Sequence, residues 1–316
     1  YKPFCVTFDK VEDVEKIVEV LRPLRIANII PNAFTIASTL YEAAGVVSRA
    51  DYVDGNRSIT DEEIEKIKQH TGMGTWNVYA ALYGTPEGNE MNWNIIKSVL
   101  SSNFENIKFL TSAEMGNDPV FKYRADLMRG YMTLQEFGLY NWRGGGGSMW
   151  FAPVSPAEGK HTLNQSALAK KIMNKYGYDY VAEFIVGWRD MHHIIDLLYN
   201  RNDPEEMKRA HDCYAELVRE FAEQGYGVYR TSSGFMDLVG ETYGPEIRGV
   251  FQKIKRALDP KGILAPGKSG IFNENAFDCR WGGVPYRVRW VLGRILGIGN
   301  QRGTFFRRCS GSVCLN

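Results

Sequence analysis

Residues 257–271 read ALDPKGILAPGKSGI, and within them Gly262–Ser269, GILAPGKS, meets every defined position of the nucleotide-binding pattern G-x-x-x-x-G-K-[ST]. The fold turns on whether that fit is meaningful. A phosphate-binding loop follows a strand and opens a helix, so that the helix N-terminus and free backbone N–H groups face the phosphates. Here the flanks run the other way. Upstream, PEIRGVFQKIKRALD (245–259) has a helical period and stops at Asp259-Pro260-Lys261-Gly262, a helix-stop and turn signal. Downstream, GIFNENAF has no helical period, and Pro266 removes a donor from inside the loop itself. The stretch reads as a helix end followed by an extended turn. The alternative, a nucleoside triphosphatase, requires ATP binding that depends on Lys268.

Working outward, the chain of 316 residues is 44% hydrophobic and 24% charged, with a formal net charge of +1. That length supports a substantial core and two domains, and the near-neutral balance gives no reason to expect nucleic acid as a partner. Aromatic residues make up 13%, which suits either large aromatic cores or a pocket for a flat ligand. The five cysteines are scattered without a CxxC pair, so neither a disulfide framework nor a zinc site is indicated. No apolar run reaches the ~18 residues of a membrane span. The chain opens at Tyr1 inside the strand-like YKPFCVTF, without an initiator Met or a signal peptide, so an upstream segment is expected.

Strand-like and helix-like segments alternate. KPFCVTFD (2–9) reads as a strand, and VEDVEKIVEVLRPL (11–24) as a helix with Val14, Ile17, Val18 and Leu21 on one face. Thr60-Asp-Glu-Glu63 forms a capping box opening a helix over 59–70. A strand at 76–84, a helix at 91–104 and a strand at 106–112 follow. The second round has a strand at 148–155, a helix at 167–177, one long or two broken strands over 180–200, a helix at 203–225 and a strand at 226–232. Two β-α-β rounds indicate an α+β fold, an antiparallel sheet flanked by helices. Beyond Asn273, residues 277–316 carry seven Arg and one Asp, with the apolar piece VRWVLGRILGIG at 288–299. This basic tail, 276–316, is read as a loosely ordered extension rather than a membrane-surface helix.

ALDPKGILAPGKSGI, EQGYGVYRTSSGFMDLV (223–239), VGWRDMHHIIDLLYN (186–200), LYNWRGGGGSMWFAPVS (139–155) and the LRPLR near residue 21 together resemble, in the same order, the vanillyl-alcohol oxidase and para-cresol methylhydroxylase family of flavin-dependent oxidases. The resemblance covers roughly residues 1–272. It implies a ferredoxin-like substrate cap domain over 1–225 and, over 226–275, a return segment belonging to the FAD-binding domain. The FAD-binding half that precedes the cap in this family is absent, and no G-x-G-x-x-G is found. Accordingly, the chain is read as part of a FAD-dependent oxidoreductase acting on para-alkylphenols or para-hydroxybenzyl alcohols, by hydride transfer to flavin through a para-quinone methide. The alternative is a non-catalytic cap or dimerisation fragment. The resemblance further implies a phenolic substrate, oxygen or a c-type cytochrome as electron acceptor, and a homo-oligomer for the complete protein.

The same resemblance assigns residues. Tyr229 and Arg230 are implied to meet the phenol oxygen, where a guanidinium favours the phenolate, and Arg230 also to lie near the reduced flavin. Adjacent strand residues face opposite ways, so the two can share a substrate only at a strand end or bulge. At period two, His192, Ile194 and Asp196 share a strand face, whereas His192 and His193 do not, which argues against a metal pair. His192 and Asp196 are implied in the catalytic cavity with Glu183 and Glu136 near it, a carboxylate there serving as base for incoming water. Trp150 and Ile194 resemble ring-packing positions. Serine at 148 excludes the histidine-linked flavin of one branch of the family, while Tyr140 matches the tyrosine tether of the other, predicting an aryl-ether FAD. Lys268 is implied near the flavin's pyrimidine end or the cavity. The four glycines beside Trp142, Trp150 and Phe151 indicate a packed segment whose backbone closely approaches a bulky ligand.

Overall fold

Along β1 (Lys2–Phe8), Phe4, Val6 and Phe8 turn to one side and Cys5 to the other, and both sides are buried. A strand buried on both faces needs two covering layers. The computed structural model describes residues 1–271 and 273, and shows both layers; the basic tail at 276–316 lies outside the described residues. By internal contacts the chain divides into two units, Tyr1–Arg230 and Thr231 onward.

In the first unit β1 leads to α1 (Asp13–Ile26), β2 (Phe34–Ser38), the short α2 (Thr39–Ala43), α3 (Asp61–Thr71), β3 (Trp76–Leu82), α4 (Pro86–Asn103) and β4 (Lys108–Leu110). The helices α5 (Ser112–Asn117) and α6 (Lys122–Met128) and a 3-10 segment at Gln135–Asn141 follow. Then come β5 (Gly147–Phe151), β6 (Pro153–Pro156), α7 (Gly159–Lys175), β7 (Ala182–Val186), β8 (Asp190–Tyr199), α8 (Pro204–Glu223) and β9 (Gly227–Val228). All pairings are antiparallel in the order β4-β1-β3-β2-β7-β8-β6-β9, with β5 also on β8. That order contains the βαββαβ arrangement twice, β1 to β4 and then β6 to β9, and the two copies join edge to edge through β2 and β7. The expected flanked antiparallel sheet is therefore present as two ferredoxin-like repeats.

One layer packs α1 and α4 on Phe4, Val6, Phe8, Ile36, Val78 and Phe184. In α1 the buried residues Val14, Ile17, Val18 and Leu21 are the predicted helical stripe. In α8, Ala210, Cys213, Tyr214, Leu217, Val218 and Phe221 bury one stripe, and Phe221 and Tyr214 meet Phe151 edge-on at 5.0 and 5.6 Å. The opposite layer, built from α2, α3, α5, α6 and the 3-10 segment, covers Cys5, Ala37, Tyr79, Val181 and Leu198. Helix starts follow their caps: Thr60 and Glu63 close the predicted capping box, and the Asp203 carboxylate accepts from the N–H groups of Glu205 and Glu206.

Several boundaries differ from the sequence reading for local reasons. β2, FTIAS, goes unread although it is the seam strand, because five residues carry too little period to announce themselves. Residues 180–200 are two strands broken at Gly187, and 148–155 divides at Ala152. α4 begins at Pro86 and α7 at Gly159, ahead of the apolar stripes that mark their interiors. β9 spans only Gly227–Val228 of the strand expected over 226–232.

The second unit contains α9 (Met236–Glu241), α10 (Pro245–Leu258) and a 3-10 turn at Lys268–Gly270. A Cβ on Gly270 would stand 2.8 Å from both Met236 O and Gly240 Cα, so α9 and the turn pack at a spacing only glycine permits. The nucleotide-loop question is answered here. The amides of Ile263 and Leu264 donate to the Asp259 carboxylate at 2.9 and 3.0 Å, and Lys255 closes the same carboxylate at 2.8 Å. The loop's donors are committed to an internal anion, and a 3-10 turn rather than a helix follows Lys268.

Candidate active site

Cross-strand register places the candidate residues on one face. Glu183 pairs with Ile194, and Trp150 pairs with Asp196, so both pairs project to the same side as His192. His193 goes to the helix side, fully buried, stacked on Phe184 at 4.0 Å and hydrogen-bonded to Tyr180 and Gln165. The two adjacent histidines are therefore separated by the sheet. Among the described residues no group of three or more His, Cys, Asp or Glu is arranged to hold a metal.

Asp196 is fully buried, and its two oxygens differ. The Ser148 hydroxyl donates to Oδ1 at 2.5 Å, whereas Oδ2 has no hydrogen-bond partner among the described residues. Burial pushes the carboxyl up to about 7, against the opposing hydrogen bond from Ser148, with the Glu136 charge adding to the rise. Glu183 is also pushed up to about 7, first by burial and then by Glu136 and Glu42, with Arg124 and the Tyr79 hydroxyl opposing.

The group that organises these carboxylates, Arg124, was not legible in the sequence. Its Nε and Nη2 donate to Glu42 Oε1 at 3.2 and 2.8 Å, Nη1 to Glu136 Oε1 at 3.2 Å, and Nη2 to Glu183 Oε2 at 3.3 Å. Each carboxylate also accepts one phenol: Tyr123 donates to Glu42 at 2.9 Å, Tyr41 to Glu136 at 3.0 Å and Tyr79 to Glu183 at 3.0 Å. The same three rings surround the guanidinium at 5.5, 4.5 and 4.7 Å for Tyr41, Tyr79 and Tyr123. Beside negative neighbours in a dry setting, all three phenols are raised above the ordinary tyrosine range, burial being the main cause.

Tyr229 and Arg230 lie just past the end of β9, which resolves the alternation problem: both fall where the strand pattern has stopped. The Arg230 guanidinium lies 5.3 Å from the Tyr229 ring centre, and that ring stacks on His192 at 4.6 Å. His192 Nε2 is 3.1 Å from Asp190 Oδ2, and Tyr229 and Arg230 are both exposed. Tyr140 sits half-buried in the 3-10 segment, stacked on Phe137 at 5.6 Å, its phenol raised by burial and then by the Asp196 and Glu136 charges. Trp150 is half-buried and Ile194 buried on the same sheet face. Lys268 belongs to the second unit, exposed, on its 3-10 turn.

The segment between Tyr140 and β5 is fastened at its start. Trp142 Nε1 donates to Asp179 Oδ2 at 2.9 Å, Arg49 joins that oxygen at 2.8 Å, and Arg143 Nε reaches Glu206 at 2.8 Å. Gly144, Gly145 and Gly146 all take positive φ, at 76°, 67° and 66°. One close approach is within the chain itself: a Cβ on Gly147 would lie 2.4 Å from Tyr199 O. The turn thus sets where Trp150 stands opposite Asp196 and where Ser148, opposite Leu198, reaches it.

Residues 6–269 match the family of FAD linked oxidases, C-terminal domain, and the chain belongs to that family. Among its relatives, it is 52% identical over 278 residues to the 4-cresol dehydrogenase [hydroxylating] flavoprotein subunit of Pseudomonas putida, a match covering 88% of this chain and 53% of that one. A 1'-carboxy-chondrochloren decarboxylase from Chondromyces crocatus is 31% identical over 132 residues, covering 40% of this chain and 24% of its own. Among solved structures, p-cresol methylhydroxylase with substrate bound superposes with a TM-score of 0.83 at 53% identity, covering 85% of this chain and 52% of that chain. The isoeugenol complex of 4-ethylphenol oxidase from Gulosibacter chungangensis gives 0.82 at 32% identity, with 87% and 54% covered. The match spans about half the length of the 4-cresol dehydrogenase flavoprotein subunit and about a quarter of the decarboxylase.

Proposed function

We propose that this chain supplies the substrate-facing part of a FAD-dependent oxidoreductase acting on para-alkylphenols or para-hydroxybenzyl alcohols. The observation that carries the reading is a single sheet face holding Asp196, with one buried oxygen unpartnered, beside Glu183, Trp150 and Ile194. Family membership and the two phenol-acting relatives support the substrate class. The residues fit the flavin-ring end of FAD: an orphaned buried oxygen opposite a half-buried Trp150, with Tyr140 raised by the Asp196 and Glu136 charges, is a polar, aromatic-walled setting that its own chain leaves incomplete. The loop at 262–269 does not serve as a phosphate cradle, since Asp259 holds its Ile263 and Leu264 amides.

When bound, FAD supplies the hydride acceptor that takes the benzylic hydrogen and leaves a para-quinone methide of the substrate. This chain's residues do the rest. Tyr229 and Arg230 bind the phenol oxygen, the guanidinium favouring the phenolate from which hydride departs most readily. Trp150 and Ile194 pack the ring, and Asp196 takes the proton of the water that adds to the quinone methide through its free Oδ2. Glu136 and Glu183 supply further carboxylates beside it, and His192, stacked on Tyr229, holds that ring in place. Tyr140 would carry the covalent tether to FAD, and Lys268 is the residue the family resemblance assigns to the pyrimidine end. In the complete holoenzyme, Arg230→Met should lower kcat/KM for para-cresol by ~10²-fold or more, the scale of losing one charge-stabilising donor. Unchanged kcat/KM would remove Arg230 from the site.

A further inference from the structure

The Arg124 cluster has a charge imbalance that its geometry resolves in one way. One guanidinium faces three carboxylates whose side chains are 0% exposed for Glu42, 8% for Glu183 and 25% for Glu136. Like charges this close in a dry setting do not all ionise, so the cluster retains a proton. Glu42 accepts three hydrogen bonds, two from Arg124 and one from Tyr123, and so is stabilised as an anion. Glu136 reaches solvent, where its charge is hydrated. Glu183 is buried, takes the longest of the Arg124 contacts, and has no hydrogen bond on Oε1 among the described residues. The groups facing it are Tyr79 on β3, Tyr41 and Glu42 on α2, Arg124 on α6, and Glu136 on the 3-10 segment.

We propose that Arg124 and Glu42 form a positioning pair that places the cluster's shared proton on Glu183, making it a neutral acid on the substrate-facing side of the sheet. The fully bonded Glu42 fixes the guanidinium in plane, and its negative charge disfavours ionisation of Glu183. The proton so held is exchangeable with the site through Oε1. Its use in turnover rests on the proposed phenol oxidation; its location does not.

The test is a pH titration of the complete holoenzyme by infrared difference spectroscopy, following the carbonyl stretch of protonated carboxyls without substrate. The wild type should show such absorption titrating near neutrality from both Glu183 and Asp196; Glu183→Gln should lose one component, and Asp196→Asn should retain it. Glu42→Gln removes a facing negative charge and should move the midpoint down by about one pH unit, a tenfold loss of proton affinity. Tyr79→Phe removes a donor to the ionised form and should move it up, and it serves alone should Glu42→Gln fail to fold. No Glu183-dependent band, or midpoints unmoved in folded variants, would overturn the assignment. If the band and its shifts persist in a holoenzyme that does not oxidise phenols, the substrate reading fails and the proton assignment stands.

Discussion

Ser148 on β5 donates its hydroxyl hydrogen bond to one oxygen of Asp196 on β8 at 2.5 Å and leaves the other oxygen buried without a partner among the described residues. On the proposed reading, the pair leaves Oδ2 as the aspartate atom available for chemistry. A hydroxyl that donates to a carboxylate favours the ionised form, and Ser148 opposes the burial that pushes Asp196 up to about 7. Ser148→Ala should therefore raise the Asp196 pKa and move the acid limb of kcat to higher pH by roughly one to two units, since a hydrogen bond to a charged group contributes about 1.5–3 kcal/mol. Asp196→Asn should lower kcat by ~10²–10⁴-fold. An unmoved acid limb in Ser148→Ala would show that Asp196 is not the titrating base.

Stability should depend on pH through the same two carboxyls. Glu183 and Asp196 rise from 4.5 and 3.8 to about 7 in the folded chain, so the folded state binds their protons more tightly than the unfolded state. Their contribution is complete below the unfolded values and is lost as pH climbs toward about 7. The buried His193, lowered well below 6.5 by burial, acts oppositely: its contribution falls as pH drops below 6.5. Denaturant titrations of Glu183→Gln and Asp196→Asn should thus show a smaller loss of stability between pH 5 and about 7 than the wild type. Parallel curves would contradict the raised values.

The glycine turn before β5 separates conformational from steric constraint. Gly144 has positive φ but open space around its Cβ position, so Gly144→Ala should cost about 1–2 kcal/mol from backbone strain alone. In Gly147→Ala the new methyl meets Tyr199 O at 2.4 Å, an obstacle of backbone that cannot swing aside. The expected loss is ~1–3 kcal/mol by overpacking, together with displacement of Ser148 from Asp196 and hence lower turnover. Equal stability and turnover in both variants would refute this.

How much was legible follows from how local each signal is. The helical stripes of α1 and α8, the Thr60 capping box and the period-two face of His192, Ile194 and Asp196 are written in consecutive residues. Glu183 and Glu136 were reachable only through the family resemblance. Arg124, Glu42, Tyr41, Tyr79 and Tyr123 come from three separate elements and share no motif, so nothing short of the fold assembles them. β2 was missed for a similar reason: its identity as the seam comes from pairing with β3 and β7, not from its five residues.

Tyr140 gives the cofactor claim a chemical test. Proteolysis of the complete holoenzyme should yield a flavin-bearing peptide containing Tyr140, and Tyr140→Phe should release its FAD on acid precipitation. Quantitative release of FAD from the wild type would exclude the tether.

The central claim, that this sheet face serves phenol oxidation by a flavin, is tested most directly by mixing the complete holoenzyme with para-cresol in the absence of oxygen and recording the flavin spectrum. The account predicts rapid bleaching of oxidised flavin in the wild type, and bleaching slowed at least ~10²-fold in Arg230→Met. Flavin that stays oxidised with para-alkylphenols and para-hydroxybenzyl alcohols alike would contradict it.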